Sequence, residues 1–154
     1  MKWIGDFRGK KWFLSNMYPC EFVINGVKFK SVEHYFQYSK IKNEDVKRSI
    51  LSIESPAMTK ILSSRNKRVD NWEEIKLEVM YTGLKAKFSQ NLDLKRLLLE
   101  TEDELLEEGN TWNDRYWGVD YYSRVGENHL GKLLMRVREE LKDHETNPKK
   151  LKYM

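Results

Sequence analysis

Two long stretches of the sequence place apolar side chains at helical spacing, and this pattern constrains the fold more than any other feature. Apolar residues recur every three or four positions from Trp72 to Phe88, and again from Leu130 to Leu141. Such spacing gathers the apolar side chains on one face of a helix, and that face must be buried against other elements. The chain therefore has to build much of its core from amphipathic helices.

The first part of the chain is predicted to be extended and to contain a β-hairpin. Asn25-Gly26 lies between two short apolar segments, and this dipeptide supplies the positive φ angles of a tight type I′ turn. Ser31 is suited to cap a helix that runs to Ile41 without Gly or Pro. A second helix is expected near residues 43–53, and Ser55-Pro56 is typical of the start of a third.

The remaining segments complete the prediction of the fold class. Residues 92–99 predict a Leu-rich helix, and residues 112–117 predict a strand or an ordered loop. Helix dominates, so the chain is expected to form an α+β, mainly α-helical single domain with a small β-hairpin or sheet. We assign residues 1–142 to this domain and residues 143–154 to a polar C-terminal tail.

Composition limits the class of protein. No apolar run in the 154 residues approaches the ~20 that a membrane-spanning helix requires. The acidic Asp6 interrupts the amino terminus before a signal-peptide core can form, and Cys20 is the only cysteine. We therefore expect a soluble cytoplasmic protein without a membrane partner. The net charge of +4 is compatible with phosphate-bearing partners without requiring nucleic acid.

The helix predicted after Ser31 contains the most informative polar pattern. Its residues Glu33, Gln37 and Lys40 share one stripe, because 3.6 residues per turn bring positions i, i+4 and i+7 together. The neighbouring stripe is the apolar, core-facing one, so the polar stripe is expected at the border between core and solvent. A catalytic pocket wall would suit that place. The alternative is structural, since an acid in the first turn and a base in the last simply favour the helix dipole.

Other motifs leave alternatives open. The segment from Trp112 to Gly118 has the residue types that stack a base and hold a ribose, but Trp also fills cores and Asn-Asp also forms turns. Asn16 is either a buried loop anchor or a ligand contact. His34 lies off the polar stripe, and a lone histidine is more often a satisfied core or surface residue. The sequence has no metal-ligand spacing, Gly-rich phosphate loop or nucleophile elbow, so we expect no metal and no cofactor.

Taken together, several blocks resemble the NADAR family, also called YbiA-like, over roughly residues 7–141. They occur in the family's order: residues 13–16, residues 31–40, residues 71–80, residues 113–118 and residues 128–135. The resemblance implies a mainly helical YbiA-like fold and an N-glycosidase that needs no cofactor. It implies as substrate either phosphoribosylated intermediates of riboflavin synthesis or ADP-ribose on guanine, including ADP-ribosylated DNA.

The resemblance also implies which residues form the site. Lys40 would be the catalytic lysine, with Glu33 beside it and Asp114 as a further catalytic candidate. The substrate-binding candidates are Asn16, Gln37, Trp112, Asn113, Tyr116, Trp117, Arg65 and Arg124. The arginines are included, together with Arg68, because guanidinium groups in loops suit phosphate.

Two other functions remain open at this point. The first is a binding module for an ADP-ribose-like ligand without turnover. The second is a nucleic-acid-binding protein that uses the basic clusters, whose affinity would fall steeply with salt and survive Lys40→Ala.

Overall fold

The structure is a computed structural model that describes residues 3–146. Its elements in chain order are β1 (Trp3–Ile4), a 3₁₀ helix (Gly9–Leu14), β2 (Phe22–Ile24), β3 (Val27–Phe29), α1 (Val32–Lys40), α2 (Glu44–Ser52), α3 (Pro56–Ser64), α4 (Trp72–Gln90), α5 (Leu92–Glu100), β4 (Leu105–Leu106), β5 (Gly109–Asn110), β6 (Val119–Asp120) and α6 (His129–Thr146). The predicted mainly helical α+β class is confirmed.

The chain divides into two compact units. The 15–91 unit runs from Ser15 to Asn91, and the terminal unit combines the residues up to Leu14 with those from Leu92 onward. The first unit holds β2, β3 and helices α1 to α4, whereas the second holds the other four strands with α5 and α6.

The hairpin of the 15–91 unit forms as predicted. Asn25 and Gly26 have φ angles of 51° and 79°, which are the values that a type I′ turn requires. The register pairs Phe22 with Phe29. Tyr35 from α1 packs edge-on against the ring of Phe29, with 5.0 Å between centroids. The hairpin therefore fixes one side of α1.

Helix α1 is the most enclosed element of its unit. It packs against α2, α3, α4 and β3. Ser31 caps it by accepting a hydrogen bond from the backbone N–H of His34. Phe36 contacts Trp72 of α4 at 4.9 Å between ring centroids, and Ile50 of α2 is fully buried. With neighbours on several sides, α1 buries polar as well as apolar residues.

The short helices begin where the sequence predicts. Asn43 caps α2 by accepting from two backbone N–H groups, and Ser55 caps α3 with Pro56 at the start of the helix. The long helix α4 buries Met80 and Leu84 on the predicted apolar face.

The terminal unit is built around α5 and α6, with two very short parallel sheets. β1 pairs with β4 and β5 pairs with β6. The side chain of Asn128 links β4 to the residue before β5. Its amide donates to the carbonyl of Leu106 at 2.9 Å and accepts from the N–H of Glu108 at 3.1 Å. Leu98 of α5 and Leu134 of α6 are fully buried.

Two expectations need correction or restriction. The region before the hairpin is not extended throughout, because Gly9–Leu14 forms a 3₁₀ helix whose Phe13 and Leu14 are buried. The predicted tail begins inside α6, which continues to Thr146, and residues 147–154 lie outside the described residues. The boundary at residue 142 stays a prediction. Among the described helices, none is both long and apolar enough to cross a membrane.

Candidate active site

Glu33 and Gln37 lie on adjacent turns of α1 and form one hydrogen-bonded pair. The side-chain amide of Gln37 donates to Oε1 of Glu33 at 2.7 Å. The two residues are only 7% and 3% exposed, so the polar stripe lies deeper than the core–solvent border predicted for it. A carboxylate only accepts hydrogen bonds, and this fixes the amide nitrogen of Gln37 toward Glu33 and its oxygen away.

Asn16 joins the pair through its backbone and side chain. Its carbonyl oxygen accepts from the N–H of Glu33 at 3.1 Å, which satisfies one of the donors left open in the first turn of α1. Its side-chain nitrogen donates to the sulfur of Met80 at 3.2 Å. Asn16 is therefore attached to both α1 and α4.

Two buried oxygens of this cluster lack a donor. Within the described residues, neither Oδ1 of Asn16 nor Oε1 of Gln37 has a hydrogen-bond partner. An unpaired buried acceptor costs about 1–3 kcal/mol, and such groups are rare in native proteins. Both belong to side chains tied to Glu33. The cluster therefore has acceptor capacity that water or the donor groups of a ligand would satisfy.

Lys40 ends α1 and is half-buried. Burial lowers the pKa of its ammonium below the ordinary value, and the positive charges of Arg68 and Lys60 lower it further. The carboxylates of Glu33 and Glu73 act in the opposite direction. The net pKa shift is downward, which increases the fraction of the neutral, nucleophilic amine.

The basic loop after α3 lies beside the end of α1. The N–H of Val69 donates to the carbonyl of Lys40 at 2.8 Å, and Ile41 forms an isolated bridge with Arg68. Arg68 also donates to Glu73 at 2.9 Å. Lys40, Arg68 and Lys60 thus place three cations where a phosphate would be attracted.

His34 has a structural role. Its Nε2 lies 2.6 Å from the carbonyl oxygen of Ile53, which can only accept, so the proton is on Nε2. Nδ1 then accepts from the hydroxyl of Ser31 at 2.6 Å. Burial lowers the pKa of His34, which keeps the ring neutral. The interpretation of His34 as a satisfied core histidine is therefore confirmed.

Asp114 organises its own loop in the terminal unit. Its Oδ1 accepts from the backbone N–H groups of Tyr116 at 3.2 Å and Trp117 at 2.9 Å. The side chain of Asn110 brackets the same residue, accepting from its N–H and donating to its carbonyl. One carboxylate oxygen is thus used to shape the turn, and a catalytic role for Asp114 stays a prediction.

The aromatic block around Asp114 is divided between exposed and packed side chains. Trp112 is 64% exposed, and Asn113, with a φ of 67°, is also exposed. Tyr116 and Trp117 instead contact each other edge to face, with 4.9 Å between ring centroids, and Tyr116 also contacts the ring of His129. Of these three aromatic side chains, Trp112 is the most exposed to solvent.

Of the three arginines predicted to contact phosphate, Arg65 and Arg124 have different surroundings. Arg65 caps the end of α3 and is exposed. Arg124 donates to Glu107 at 2.8 Å and its guanidinium lies 3.9 Å from the ring centre of Trp3. Arg124 and Arg68 are both paired with a carboxylate, but Arg124 is also stacked on Trp3, whereas Arg68 lies beside Lys40.

The structure brings some of the predicted site residues into contact, whereas the site role of the others stays a prediction. Glu33, Gln37 and Asn16 are joined by hydrogen bonds, and Lys40 lies on the same helix. The residues from 112 to 124 belong to the terminal unit. Their contribution to a pocket with Lys40 stays a prediction, as does the concave pocket itself. Among the described residues, no group of three or more His, Cys, Asp or Glu side chains is placed to hold a metal.

One unusual residue, Lys87, was not predicted from the sequence. It is fully buried in the last turns of α4. A signal was present, because Lys87 follows Leu84 by three positions and Met80 by seven, on the apolar face of the helix.

Comparison with known proteins identifies relatives along nearly the whole chain. The NADAR domain family model matches residues 5–142. An Escherichia coli (strain K12) protein named N-glycosidase YbiA is 38% identical over 139 residues, which are 89% of this chain and 81% of that protein. A riboflavin biosynthesis protein of Vibrio vulnificus is 37% identical over 134 residues, covering 86% of this chain. The chain spans only 36% of the length of that Vibrio protein.

A solved structure agrees with this family. The NMR structure of the E. coli protein YbiA matches 90% of this chain and 83% of its own, with a TM-score of 0.81 and 35% sequence identity. The predicted YbiA-like fold is confirmed.

Proposed function

This chain belongs to the NADAR domain family, and from that premise we propose that it is an N-glycosidase that hydrolyses the bond between a phosphorylated ribose and a base. One observation carries the assignment of the site. A half-buried lysine with a lowered pKa, Lys40, lies on the same helix as a buried, hydrogen-bonded carboxylate, Glu33. A binding module would not need a lysine of this kind.

The two residues have complementary roles in the reaction. The C1′–N bond breaks with its electron pair passing to the base, which takes up a proton, while C1′ develops positive charge that the Glu33 carboxylate stabilises. The neutral amine of Lys40 bonds to C1′, and opening of the sugar ring gives a Schiff base. Water then adds to C1′ and the C1′–N bond to Lys40 breaks. The products are the base and the sugar phosphate, and the lysine is regenerated.

The surroundings of Lys40 support a phosphorylated substrate. Arg68 and Lys60 add positive charge beside the amine, and Arg65 is exposed on the same loop. A phosphate bound there would offset their mutual repulsion and would raise the pKa of Lys40, so it must lie far enough from the amine to leave it reactive. For this reason we favour Arg68 among the arginines that are candidates for phosphate contact.

The relatives favour one substrate class. Proteins of V. vulnificus and of Arabidopsis thaliana that match this chain are named riboflavin biosynthesis proteins. We therefore place a phosphoribosylated intermediate of riboflavin synthesis first, and ADP-ribose on guanine, free or in DNA, second. The lone cysteine leads us to place the protein in the cytoplasm.

The test is product analysis by mass spectrometry. The protein is incubated with a phosphoribosylated riboflavin intermediate and, separately, with ADP-ribosylated guanine in mononucleotide and DNA form. We expect base and ribose phosphate from the first. Glu33→Gln and Lys40→Arg should lose the activity, whereas Lys42→Arg, a matched control at an exposed lysine paired with Asp70, should retain it. Release of product from the guanine substrates alone would overturn the preferred substrate. No release from any substrate would overturn the proposed activity.

A further inference from the structure

Lys87 carries a buried amine whose only hydrogen bond within residues 3–146 is to a backbone carbonyl. Its side chain is fully buried, and Nζ donates to the backbone carbonyl of Ser15 at 3.0 Å. Nζ also lies 4.9 Å from the ring centre of Phe88 and 5.5 Å from that of Tyr18. Within the described residues, it has no ion pair with an acidic side chain. Burial of an ammonium is costly, so its retention calls for a reason beyond stability.

The carbonyl oxygen of Ser15 would still have a hydrogen-bond donor without Lys87. Ser15 also accepts a hydrogen bond at its carbonyl from the N–H of Tyr18 at 3.2 Å, which closes a turn. Removing Lys87 therefore leaves no unpaired acceptor. The lysine instead fixes where this turn lies against α4.

The next residue along the turn belongs to the candidate active site. The carbonyl of Asn16 accepts from the N–H of Glu33, and its side chain donates to Met80, seven positions before Lys87 on α4. The path from Lys87 to Glu33 thus consists of one backbone step and two hydrogen bonds. Any shift of the turn away from α4 moves Asn16, its unpaired Oδ1 and the attachment of Glu33 together.

We propose that Lys87 is a positioning residue for the glycosidase site: by holding Ser15 against α4 it sets the place of Asn16, and through Asn16 that of Glu33. The proposal rests on the proposed function for its catalytic consequence, although the positioning itself is measurable without a substrate. Lys87 touches no reacting atom, since its amine is enclosed in the core. Its contribution is geometric.

The first measurement follows the structure directly. In Lys87→Met, a side chain of similar length that cannot donate, the backbone N–H of Glu33 should exchange with solvent at least about tenfold faster than in the wild type, as read by NMR. The N–H of Leu84, buried in the middle of α4, should not exchange faster than in the wild type. Lys85→Met is the matched control on the same helix, and it should leave the exchange of Glu33 unchanged.

The second measurement is kinetic. Lys87→Met should lower kcat by about 10- to 100-fold, because the Glu33 carboxylate is displaced, and KM should change much less. The loss should not add to that of Asn16→Ala, since Lys87 and the Asn16 side chain, through its bond to Met80, both hold the same turn against α4. An unchanged Glu33 exchange rate in Lys87→Met overturns the positioning role whatever the substrate is. Faster exchange with unaltered kcat, or fully additive losses, overturns its importance for the reaction. Faster exchange in a protein whose wild type has no glycosidase activity supports the positioning and refutes only the proposed function.

Discussion

Replacing Lys87 by methionine should stabilise the protein at neutral pH and make its stability less dependent on pH. Burial lowers the pKa of Lys87 from 10.5 to about 8, and the nearby Cys20 acts in the opposite direction. The amine is fully buried, so no solvent screening reduces this effect. One pKa unit corresponds to about 1.4 kcal/mol. The lowering of the pKa from 10.5 to about 8 therefore represents a penalty of about 3 kcal/mol for the charged amine in the folded state.

The direction in which folding stability changes with pH follows from proton linkage. Between the folded pKa of about 8 and the unfolded pKa of 10.5, the unfolded chain binds the additional proton, so stability rises with pH. The penalty is fully present below pH 8 and disappears as the pH approaches 10.5. Methionine removes it, while sacrificing one hydrogen bond worth about 1 kcal/mol. The variant should then gain about 2 kcal/mol at pH 7, and this gain should shrink by about 2 kcal/mol by pH 9.5.

The assay is urea unfolding of the wild type and of Lys87→Met at pH 7, 8, 9 and 9.5, with Lys85→Met as the control. Burial raises the pKa of Cys20 and the charge of Lys87 lowers it, so all three proteins carry Cys20→Ala, which removes this thiol from the titration. A stability difference between wild type and Lys87→Met that stays constant from pH 7 to 9.5 would refute the reasoning. It would mean that the ammonium remains solvated in the folded protein.

Three further predictions concern catalysis and folding. Borohydride added during turnover should attach the sugar phosphate to Lys40, and Lys40→Arg should show no adduct and at least about 100-fold less product; full activity of that variant would exclude a nucleophilic lysine. Ser31→Ala should cost about 1–3 kcal/mol in chemical unfolding, because it removes the cap of α1 and the partner of His34 Nδ1, and a loss under 0.5 kcal/mol would contradict this. Gly109→Ala should cost about 2 kcal/mol or more, since a Cβ would overlap the backbone carbonyl of Gly5; an unchanged unfolding midpoint would show that this backbone contact relaxes freely.

The same lysine illustrates a conflict between stability and function. Lys87 is expected to destabilise the fold and to improve the geometry of the site. Such a residue is retained where activity selects for it, since stabilising substitutions at functional positions usually reduce activity. The combination of a more stable and less active Lys87→Met would therefore be a coherent outcome.

Parts of the candidate site could be predicted from the sequence because they depend on one helix. The spacing of Glu33, Gln37 and Lys40 places them on one stripe of α1 whatever surrounds the helix. Their burial could not be predicted from the sequence, because it depends on the packing of α2, α3 and α4, from separate parts of the chain, against α1. The hydrogen bond from Glu33 to Asn16 crosses 17 positions of sequence, and no local pattern encodes it.

For the fold as a whole, the sequence determined the elements that rest on local chemistry. Asn25-Gly26 fixed the hairpin turn, and Ser31 and Ser55 fixed helix starts, since each acts within four residues of itself. The two-residue strands of the terminal unit have no such signal, because two residues cannot establish an alternating pattern. β1 and β4 pair across about a hundred positions, and only the folded chain brings them together. The tertiary structure likewise decided that Lys87 is enclosed and that its lowered pKa follows, because desolvation is a property of the surroundings and not of the residue.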